Sequence, residues 1–344
     1  MLEAEVINAF EPQFRDFLNT MGGTLREFRR EPLRPGPDLF IEAELRGKPI
    51  TLLVEAKAQG EPRYIRQAAD QLRELIGRFP GAYPIVVAPY ISSQTAGLLQ
   101  SKQIGYFDLT GNVLIDSGPL YIRVEGKPNP KRAQKKLKSL FAPKTSRIVR
   151  VLLTNPDKTW YVQDLAAEAG VSIGLASRLK QRLVDLEILR QTKTGVSLTK
   201  PGDLLDQWAK EYSYQKNEIS KYYSPSSSNI ETRLSEFDRE GKNRHALTMF
   251  SGAARVAPFV RYNFAAFYFS GATPDLEKQL ELKPTLSGAN VWVFRPFDEG
   301  VYYGVQTIES VSVVSNVQLY LDLINYQGRG EEQAAAIRER LLRY

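Results

Sequence analysis

The stretch that most constrains the fold is residues 144–212, where the spacing of apolar side chains changes several times over a short distance. An apolar run over 148–153 predicts a helix, which ends before Pro156. A shorter helix is predicted over 163–169. A longer one is predicted over 173–186, where apolar residues recur every three or four positions. Three short helices in close succession are stable only when their apolar faces pack together, so this stretch predicts a small helical unit.

Short strands accompany these helices. Residues 160–162 predict a strand before the second helix, and 188–192 with 196–199 predict a hairpin whose turn lies at 193–195. Ser172 stands directly before the longer helix, where its hydroxyl can cap the first turn. Helix, strand, helix, turn, helix and two-stranded hairpin is the order of a winged helix. In such a unit the second helix of the helix-turn-helix motif lies in the major groove of double-stranded DNA.

The solvent side of the predicted longer helix carries side chains of the types that bond base edges and phosphates. They are Ser177, Arg178, Lys180 and Gln181. The predicted hairpin adds Lys193 and Lys200 at its tip, and Ser172 lies at the start of the helix. We expect these seven side chains to contact DNA. A winged helix used only for protein contacts is the alternative, and the charge of the preceding segment favours DNA.

Charge is distributed unevenly along the chain. The net charge of +7 over 344 residues permits a polyanionic partner without requiring one. Residues 127–150, however, hold nine Lys or Arg and no Asp or Glu. A solvated linker is the ordinary explanation of such a run, but next to a predicted winged helix an arm that contacts phosphates explains it better. The candidate contacts of this arm are Lys131, Arg132, Lys135, Lys136 and Lys138.

The composition excludes several kinds of site. The chain has no cysteine, which excludes disulfides, cysteine-based zinc sites and a thiol nucleophile. His245 is the only histidine, so neither a Ser-His-Asp triad nor a multi-histidine metal site is expected. Residues 1–5 are acidic where a signal peptide is basic. No apolar run approaches the ~20 residues needed to span a bilayer. We expect a cytoplasmic protein without a membrane partner.

The whole chain is predicted to be a multi-domain α/β protein. Residues 1–126 mix strands with helices, which indicates an α/β layer domain. A basic linker follows at 127–143, the winged helix at 144–212 and a serine-rich linker at 213–229. Residues 230–344 predict a C-terminal α/β domain that ends in two helices. Its predicted strands are 265–269, 290–294, 301–307 and 310–314.

Three charged residues single out one region of the first domain. Asp38 precedes a predicted strand, while Glu55 and Lys57 end the next one. Positions two apart on a strand share a face, so Glu55 and Lys57 point the same way, and pairing of the two strands would bring Asp38 close. Two carboxylates and a lysine at a strand end can hold Mg²⁺ and orient a water for attack on a phosphodiester. A simple turn at Asp38 and an exposed ion pair are the plainer explanation.

This pattern resembles the PD-(D/E)XK restriction-endonuclease-like superfamily. The resemblance implies that Asp38 and Glu55 are metal ligands and that Lys57 positions the attacking water. Gln67 and Gln71 match a glutamine that some members carry on the helix after the core strands. The glutamate that is typical of the preceding helix has three candidates here: Glu3, Glu5 and Glu11. Because many members keep the fold only for binding, a Mg²⁺-dependent DNA endonuclease is the alternative to a regulator that is not an enzyme.

The C-terminal third is similar to the AbiEi-type antitoxins of type IV toxin–antitoxin systems. The similarity rests on Asn-Val-Trp-Val at 290–293, Arg-Pro-Phe-Asp at 295–298, Gln-x-Tyr-x-Asp-Leu at 318–323 and Gly-Arg-Gly at 328–330. It implies a winged-helix repressor of its own operon, paired with a nucleotidyltransferase toxin encoded beside it. The simplest members begin at the winged helix. The stretch 105–112 of the first domain resembles an extension found on some members.

These patterns predict a transcriptional regulator that binds double-stranded DNA without a cofactor and needs Mg²⁺ only if the nuclease-like site is active. A homodimer suits the palindromic sites that such regulators often bind, although no heptad repeat enforces one. A lone regulator with an antitoxin-like C-terminal domain is the alternative to an antitoxin. The motif at 318–323 is also explained by a buried amphipathic helix, with Asp322 and Arg329 as an internal ion pair.

Overall fold

The computed structural model describes residues 1–30, 36–45, 47–118, 120–128, 140–226, 229–237 and 244–344. Within these ranges the chain is a mixed α/β protein of two compact units. Unit 1 comprises Met1–Leu137 with Val184–Glu187, and unit 2 comprises Lys138–Leu183 with Ile188–Tyr344. Apart from Val184–Glu187, the predicted winged-helix stretch and the C-terminal segment thus belong to one compact unit. Among the described residues, none of the helices combines the length and the apolar character of a membrane span.

A seven-stranded sheet forms the centre of unit 1, with its strands in chain order. The strands are β1 (Gly23–Arg30), β2 (Leu39–Leu45), β3 (Lys48–Ala56), β4 (Tyr83–Ala88), β5 (Gly105–Asp108), β6 (Val113–Ser117) and β7 (Leu120–Val124). Strands β3, β4 and β5 run parallel, and all other neighbours are antiparallel. The helices are α1 (Glu3–Thr20), α2 (Pro62–Ile76) and α3 (Ser93–Ser101).

Each face of this sheet is covered by helices. Leu52 and Val54 of β3 join a cluster with the buried side of α1, whereas Leu53 joins a second cluster with α2 and α3. This alternation follows from the two-residue period of a strand. A strand that is buried on both faces has a continuous run of apolar residues in its sequence. The apolar run of β4 therefore predicts a strand.

The parallel strands bring three loops to one edge of the sheet. The Lys57 amide donates to the Val87 carbonyl at 2.8 Å, and the Leu109 amide donates to the Ala88 carbonyl at 3.1 Å. The chain segments that follow β3, β4 and β5 therefore lie side by side at this carboxyl edge.

Unit 2 begins with three helices and a hairpin in the predicted order. They are α4 (Pro143–Thr154), α5 (Val162–Glu168), α6 (Ile173–Asp185), β8 (Leu189–Thr192) and β9 (Gly195–Leu198), followed by α7 (Pro201–Glu211). The strand predicted at 160–162 is a single bridge between Trp160 and Val196, because α5 already begins at Val162. Helix α7 had no counterpart among the predicted elements.

A second seven-stranded sheet forms the rest of unit 2, in the order β13-β10-β14-β12-β11-β16-β15. Its strands are β10 (Glu218–Tyr223), β11 (Arg244–Leu247), β12 (Ala265–Ser270), β13 (Lys283–Pro284), β14 (Val291–Arg295), β15 (Gln306–Ile308) and β16 (Val311–Val313). The helices are α8 (Ile230–Phe237), α9 (Met249–Val256), α10 (Thr273–Gln279), α11 (Asn316–Ile324) and α12 (Gly330–Ile337).

Two sequence predictions in this region were wrong. The stretch 213–229, predicted as a linker, contains β10, whose backbone pairs with both β13 and β14 and whose Tyr222 is buried. Its serines and tyrosines suggest a linker, but backbone pairing does not depend on that composition. The strand predicted at 301–307 is instead a 3₁₀ turn at Glu299–Tyr302 followed by the shorter β15.

A buried polar network joins α4 to α11. The Arg150 side chain is fully buried, and burial lowers the pKa of its guanidinium. Its Nε and Nη2 donate to Gln318 Oε1 at 3.1 and 2.7 Å, and the guanidinium lies 4.8 Å from the centre of the Trp208 ring. Gln318 Nε2 then donates to the Tyr212 hydroxyl at 2.8 Å and to Asp322 Oδ1 at 2.9 Å. One glutamine thus connects the arginine of α4 to the carboxylate of α11.

The carboxylate of Asp322 is the final hydrogen-bond acceptor of this network. Its carboxylate is fully buried and accepts hydrogen bonds from the hydroxyls of Tyr212 at 2.6 Å, Tyr268 at 3.0 Å and Thr248 at 2.5 Å. Burial raises the pKa of Asp322, and these donors oppose that rise. The alternative in which Asp322 and Arg329 form an internal ion pair is wrong. Arg329 pairs instead with Glu332, at 2.7 Å, on the surface.

Replacing Gln318 with alanine is expected to lower the free energy of unfolding of unit 2 by about 3 kcal/mol, because a buried charged donor would lose its acceptor. Urea unfolding followed by tryptophan fluorescence measures this, since Trp160, Trp208 and Trp292 all lie in unit 2. Gln215→Ala at an exposed position is the matched control and should change little. Equal losses in the two variants would contradict a structural role for Gln318.

Candidate functional site

The first candidate site is the solvent side of α6. Ala176, Leu179 and Leu183 turn inward and are at most 5% exposed. The opposite side exposes Ser177, Arg178 and Gln181, with Lys180 partly exposed. The structure thus places these four candidates on the outer surface of one helix.

Local backbone geometry sets the position of α6. Gly170, which follows α5, adopts a φ of +59°, a left-handed conformation that ends helices without a Cβ penalty. The Val171 amide donates to the Ala166 carbonyl at 2.9 Å and closes the turn. Ser172 Oγ accepts a hydrogen bond from the Leu175 amide at 3.3 Å, so the predicted cap is present. The turn is therefore short, and the first residues of α6 are exposed.

The β8–β9 hairpin is attached to this helical group at two points. Trp160 and Val196 exchange two backbone hydrogen bonds of 2.8 Å. Gly195, at a φ of +132°, permits this approach, because a Cβ there would lie 2.5 Å from the Trp160 carbonyl oxygen. Lys180 Nζ donates to Gln191 Oε1 of β8 at 3.1 Å, which connects α6 to the hairpin directly.

The lysines assigned to the hairpin tip differ in position. Lys193 is exposed in the turn between β8 and β9, as predicted. Lys200 lies after β9 and directly before α7, and is only partly exposed, so its assignment to the tip was wrong. The hairpin turn spans only Lys193 and Thr194, which leaves Lys200 at the opposite end.

The basic residues of the segment 127–150 do not all have the same role. Lys131, Arg132, Lys135, Lys136 and Lys138 lie outside the described residues. Arg147 forms a two-pronged ion pair with Asp298, whose shortest distance is 2.8 Å, and the pKa of its guanidinium is raised by this bond. Arg150 belongs to the buried network. Two of the nine basic residues are therefore used inside unit 2.

The second candidate site is a charged cluster at the carboxyl edge of the unit 1 sheet. Leu39 pairs with Val54, so the next position of the antiparallel register sets Asp38 opposite Glu55. Asp38 Oδ2 accepts a hydrogen bond from the Ala56 amide at 2.8 Å. Lys57 Nζ donates to Glu55 Oε1 at 2.8 Å, and both side chains are buried. The expected shared face of Glu55 and Lys57 is confirmed, and their pair is buried rather than exposed.

The structure separates the helical candidates around this cluster. Glu3 Oε1 of α1 lies 3.5 Å from Lys57 Nζ, whereas Glu5 binds the Leu2 amide and Glu11 faces Arg15. Glu3 therefore joins the cluster, which the sequence alone did not single out.

The two candidate glutamines of α2 also differ in exposure. Gln67 is exposed, so the structure does not place it inside the buried Glu55–Lys57 pair. Gln71 is the more inward residue, and its Oε1 is buried without a hydrogen-bond partner among the described residues.

The cluster offers few oxygen ligands for a metal ion. The described ranges contain no group of three or more His, Asp or Glu that could hold a metal ion. Asp38 and Glu55 are two carboxylates on neighbouring strands, a number that suits Mg²⁺, which keeps several waters and binds through one or two carboxylates. Lys57 already neutralises one of these groups.

A neighbouring loop at the same edge holds the start of the basic segment. Asp108 is fully buried and accepts hydrogen bonds from the amides of Ile91, Thr110 and Asn112 at 2.9–3.0 Å. The Asn112 amide group in turn exchanges hydrogen bonds with the Lys127 backbone at 2.9 and 3.1 Å. Asn112 thus positions the chain where it leaves the sheet, a role that no pattern in the sequence indicates.

Comparison with known proteins bears on unit 2. No curated protein and no solved structure matches the chain. Among protein-family models, residues 197–343, from within β9 to beyond α12, match AbiEi_2, the family described as "Transcriptional regulator, AbiEi antitoxin, Type IV TA system".

Proposed function

We propose that the chain is a DNA-binding transcriptional regulator in which α4–α6 and the β8–β9 hairpin act as a winged helix. The observation that carries the proposal is the exposed polar and basic side of α6, attached to a hairpin with a lysine at its tip. In helix-turn-helix proteins the second helix lies in the major groove and presents its first residues to base edges. Helix α6 would be that helix.

The side chains on this surface match both parts of DNA recognition. Arg178 can bond guanine in a two-pronged manner, and Ser177 and Gln181 can bond other base edges. Lys193 at the hairpin tip suits the phosphate backbone, as do the lysines and arginine of the arm at 131–138, which we retain as phosphate contacts. Two copies on a palindromic site would form a homodimer on DNA.

Arg178→Ala is expected to raise the dissociation constant for the upstream DNA of its own gene about tenfold or more, because one base-edge contact is lost. Fluorescence anisotropy at one fixed salt concentration measures the effect. Lys278→Ala removes the same charge at an exposed position of α10 and should leave binding within about twofold. Binding that ignores sequence and disappears in modest salt would contradict specific regulation, since only the phosphate contribution behaves in that way.

The family match at residues 197–343 supports a more specific role. We propose that the protein is an antitoxin that represses its own operon and counteracts a nucleotidyltransferase toxin encoded beside it. The matched stretch includes the Gln318–Asp322 network and the Asp298 partner of Arg147, so the antitoxin-like part also holds α4 in place. DNA and a toxin would then be the two partners of unit 2.

Expression of the neighbouring gene alone is expected to arrest growth, and expression with this chain is expected to restore it. Colony counts after induction measure both conditions, with the empty vector as control. A neighbouring product that is harmless alone, or a toxic one that this chain does not counteract, would contradict the antitoxin role. Neither result would affect the DNA-binding proposal.

A second candidate function, a DNA endonuclease, is favoured by the cluster of unit 1. Asp38 lies opposite Glu55, and Lys57 is held between Glu55 and Glu3. Asp38 and Glu55 would hold Mg²⁺, which, when bound, polarises a phosphoryl oxygen and lowers the pKa of bound water. Lys57 would orient the attacking water, with Glu3 fixing the ammonium group. A restriction-endonuclease-like fold of unit 1 remains part of this proposal.

If unit 1 is a nuclease, the protein should nick or linearise supercoiled plasmid in Mg²⁺, and Lys57→Met should abolish this. Agarose gels of a time course give the rate. Lys48→Met, at an exposed position of β3, the strand that Lys57 follows, is the matched control and should cleave normally. Equal cleavage by all three proteins would indicate a contaminating nuclease. If the unaltered protein does not cleave, the nuclease proposal is contradicted and only the regulator proposal stands.

A further inference from the structure

The start of α6 exposes one large apolar side chain on an otherwise polar surface. Ile173, the first residue of the helix, is 55% exposed. A single exposed apolar residue is ordinary in a soluble protein, so exposure alone carries no argument. The position of Ile173 within the proposed DNA-reading surface is what gives it meaning.

Helical spacing places Ile173 in line with the polar side chains of that surface. Ser177 follows Ile173 by four positions, so the two lie one above the other on the same side of α6. Both are exposed, as is the intervening Gly174. A Cβ at Gly174 would find only Arg178 Nη1 nearby, at 3.7 Å, so packing within the protein does not demand a glycine there. The surface beside Ile173 is therefore open, and Arg178 borders it.

The chemistry of the major groove offers one apolar partner for such a side chain. Thymine alone carries a methyl group there, at C5, whereas cytosine carries only a hydrogen at that carbon and the purines present N7 with O6 or N6. The first residues of the groove-binding helix are those that reach base edges. Hydrophobic contact with that methyl would remove part of the exposed Ile173 surface from water, while Arg178 supplies the charge that attracts DNA.

We infer that Ile173 is a specificity-determining residue that contacts the C5 methyl group of a thymine, next to the position contacted by Arg178. This inference rests on the proposed DNA-binding function of α6 and adds to it the identity of one base. A thymine at this position of the site is preferred over cytosine, and the preference comes from a methyl group rather than from a hydrogen bond.

Replacing thymine with deoxyuridine tests this directly, because the exchange removes the methyl group and leaves the base pair and its hydrogen-bonding groups unchanged. A binding site is selected from random duplexes with the unaltered protein, and each thymine is then replaced in turn. At one thymine the dissociation constant should rise about fourfold, the factor expected for one buried methyl group. Ile173→Ala should bind the thymine site more weakly and should no longer distinguish thymine from deoxyuridine there.

Controls separate the contact from other effects. Val305→Ala shortens another exposed apolar residue of unit 2 and should keep the full deoxyuridine effect. Thermal unfolding should be unchanged in Ile173→Ala, because the side chain is exposed. A deoxyuridine effect of the same size in Ile173→Ala would overturn the inference, as would its absence at every thymine for the unaltered protein.

The same experiment distinguishes this inference from the function on which it rests. Selection of a defined site, together with weaker binding by Arg178→Ala, would support DNA reading by α6 even when deoxyuridine has no effect. Failure to select any sequence would overturn both proposals together.

Discussion

The buried contact between Arg150 and Gln318 is the interaction on which the arrangement of unit 2 depends. A guanidinium removed from water needs acceptors, and a single amide oxygen of α11 accepts two hydrogen bonds from it. The amide nitrogen of the same side chain donates to Tyr212 and Asp322, so Gln318 connects α4 and α11 with the residue that follows α7. Burial raises the pKa of the Tyr212 and Tyr268 hydroxyls, which keeps both as donors to the carboxylate. Helix α4 is thereby held by charge and hydrogen bonds as well as by apolar packing.

In unit 1 the ends of neighbouring strands bring charged side chains together. The parallel strands β3, β4 and β5 end at one edge, and the antiparallel β2 begins there, so Asp38 and Glu55 meet as cross-strand neighbours. Opposite positions of such a pair have Cβ atoms about 4.5–5.5 Å apart. The buried Glu55–Lys57 pair is held in place because the sheet is packed on both faces.

The periodicity of apolar residues in the sequence was sufficient to predict much of this structure. The apolar stripe of α6 and the shared face of Glu55 and Lys57 follow from local spacing, and both predictions were confirmed. Contacts between distant residues were not predictable in the same way. Arg147 and Arg150 belong to a basic run in the sequence, but their partners lie 151 and 168 positions further along the chain. Strand β10 escaped prediction because its stability comes from backbone pairing with β14, which a serine- and tyrosine-rich sequence does not reveal.

The attachment of the hairpin to α6 has a consequence for any duplex that binds there. The Trp160–Val196 bridge and the Lys180–Gln191 bond hold the hairpin at a set offset from the helix. A duplex that received α6 in one groove would meet Lys193 at a distance set by the protein and not by the DNA. Sequences whose grooves already have the matching width would bind with little distortion, and stiffer ones would have to bend. Base pairs that no side chain touches could then contribute to the choice of site through the elasticity of the double helix.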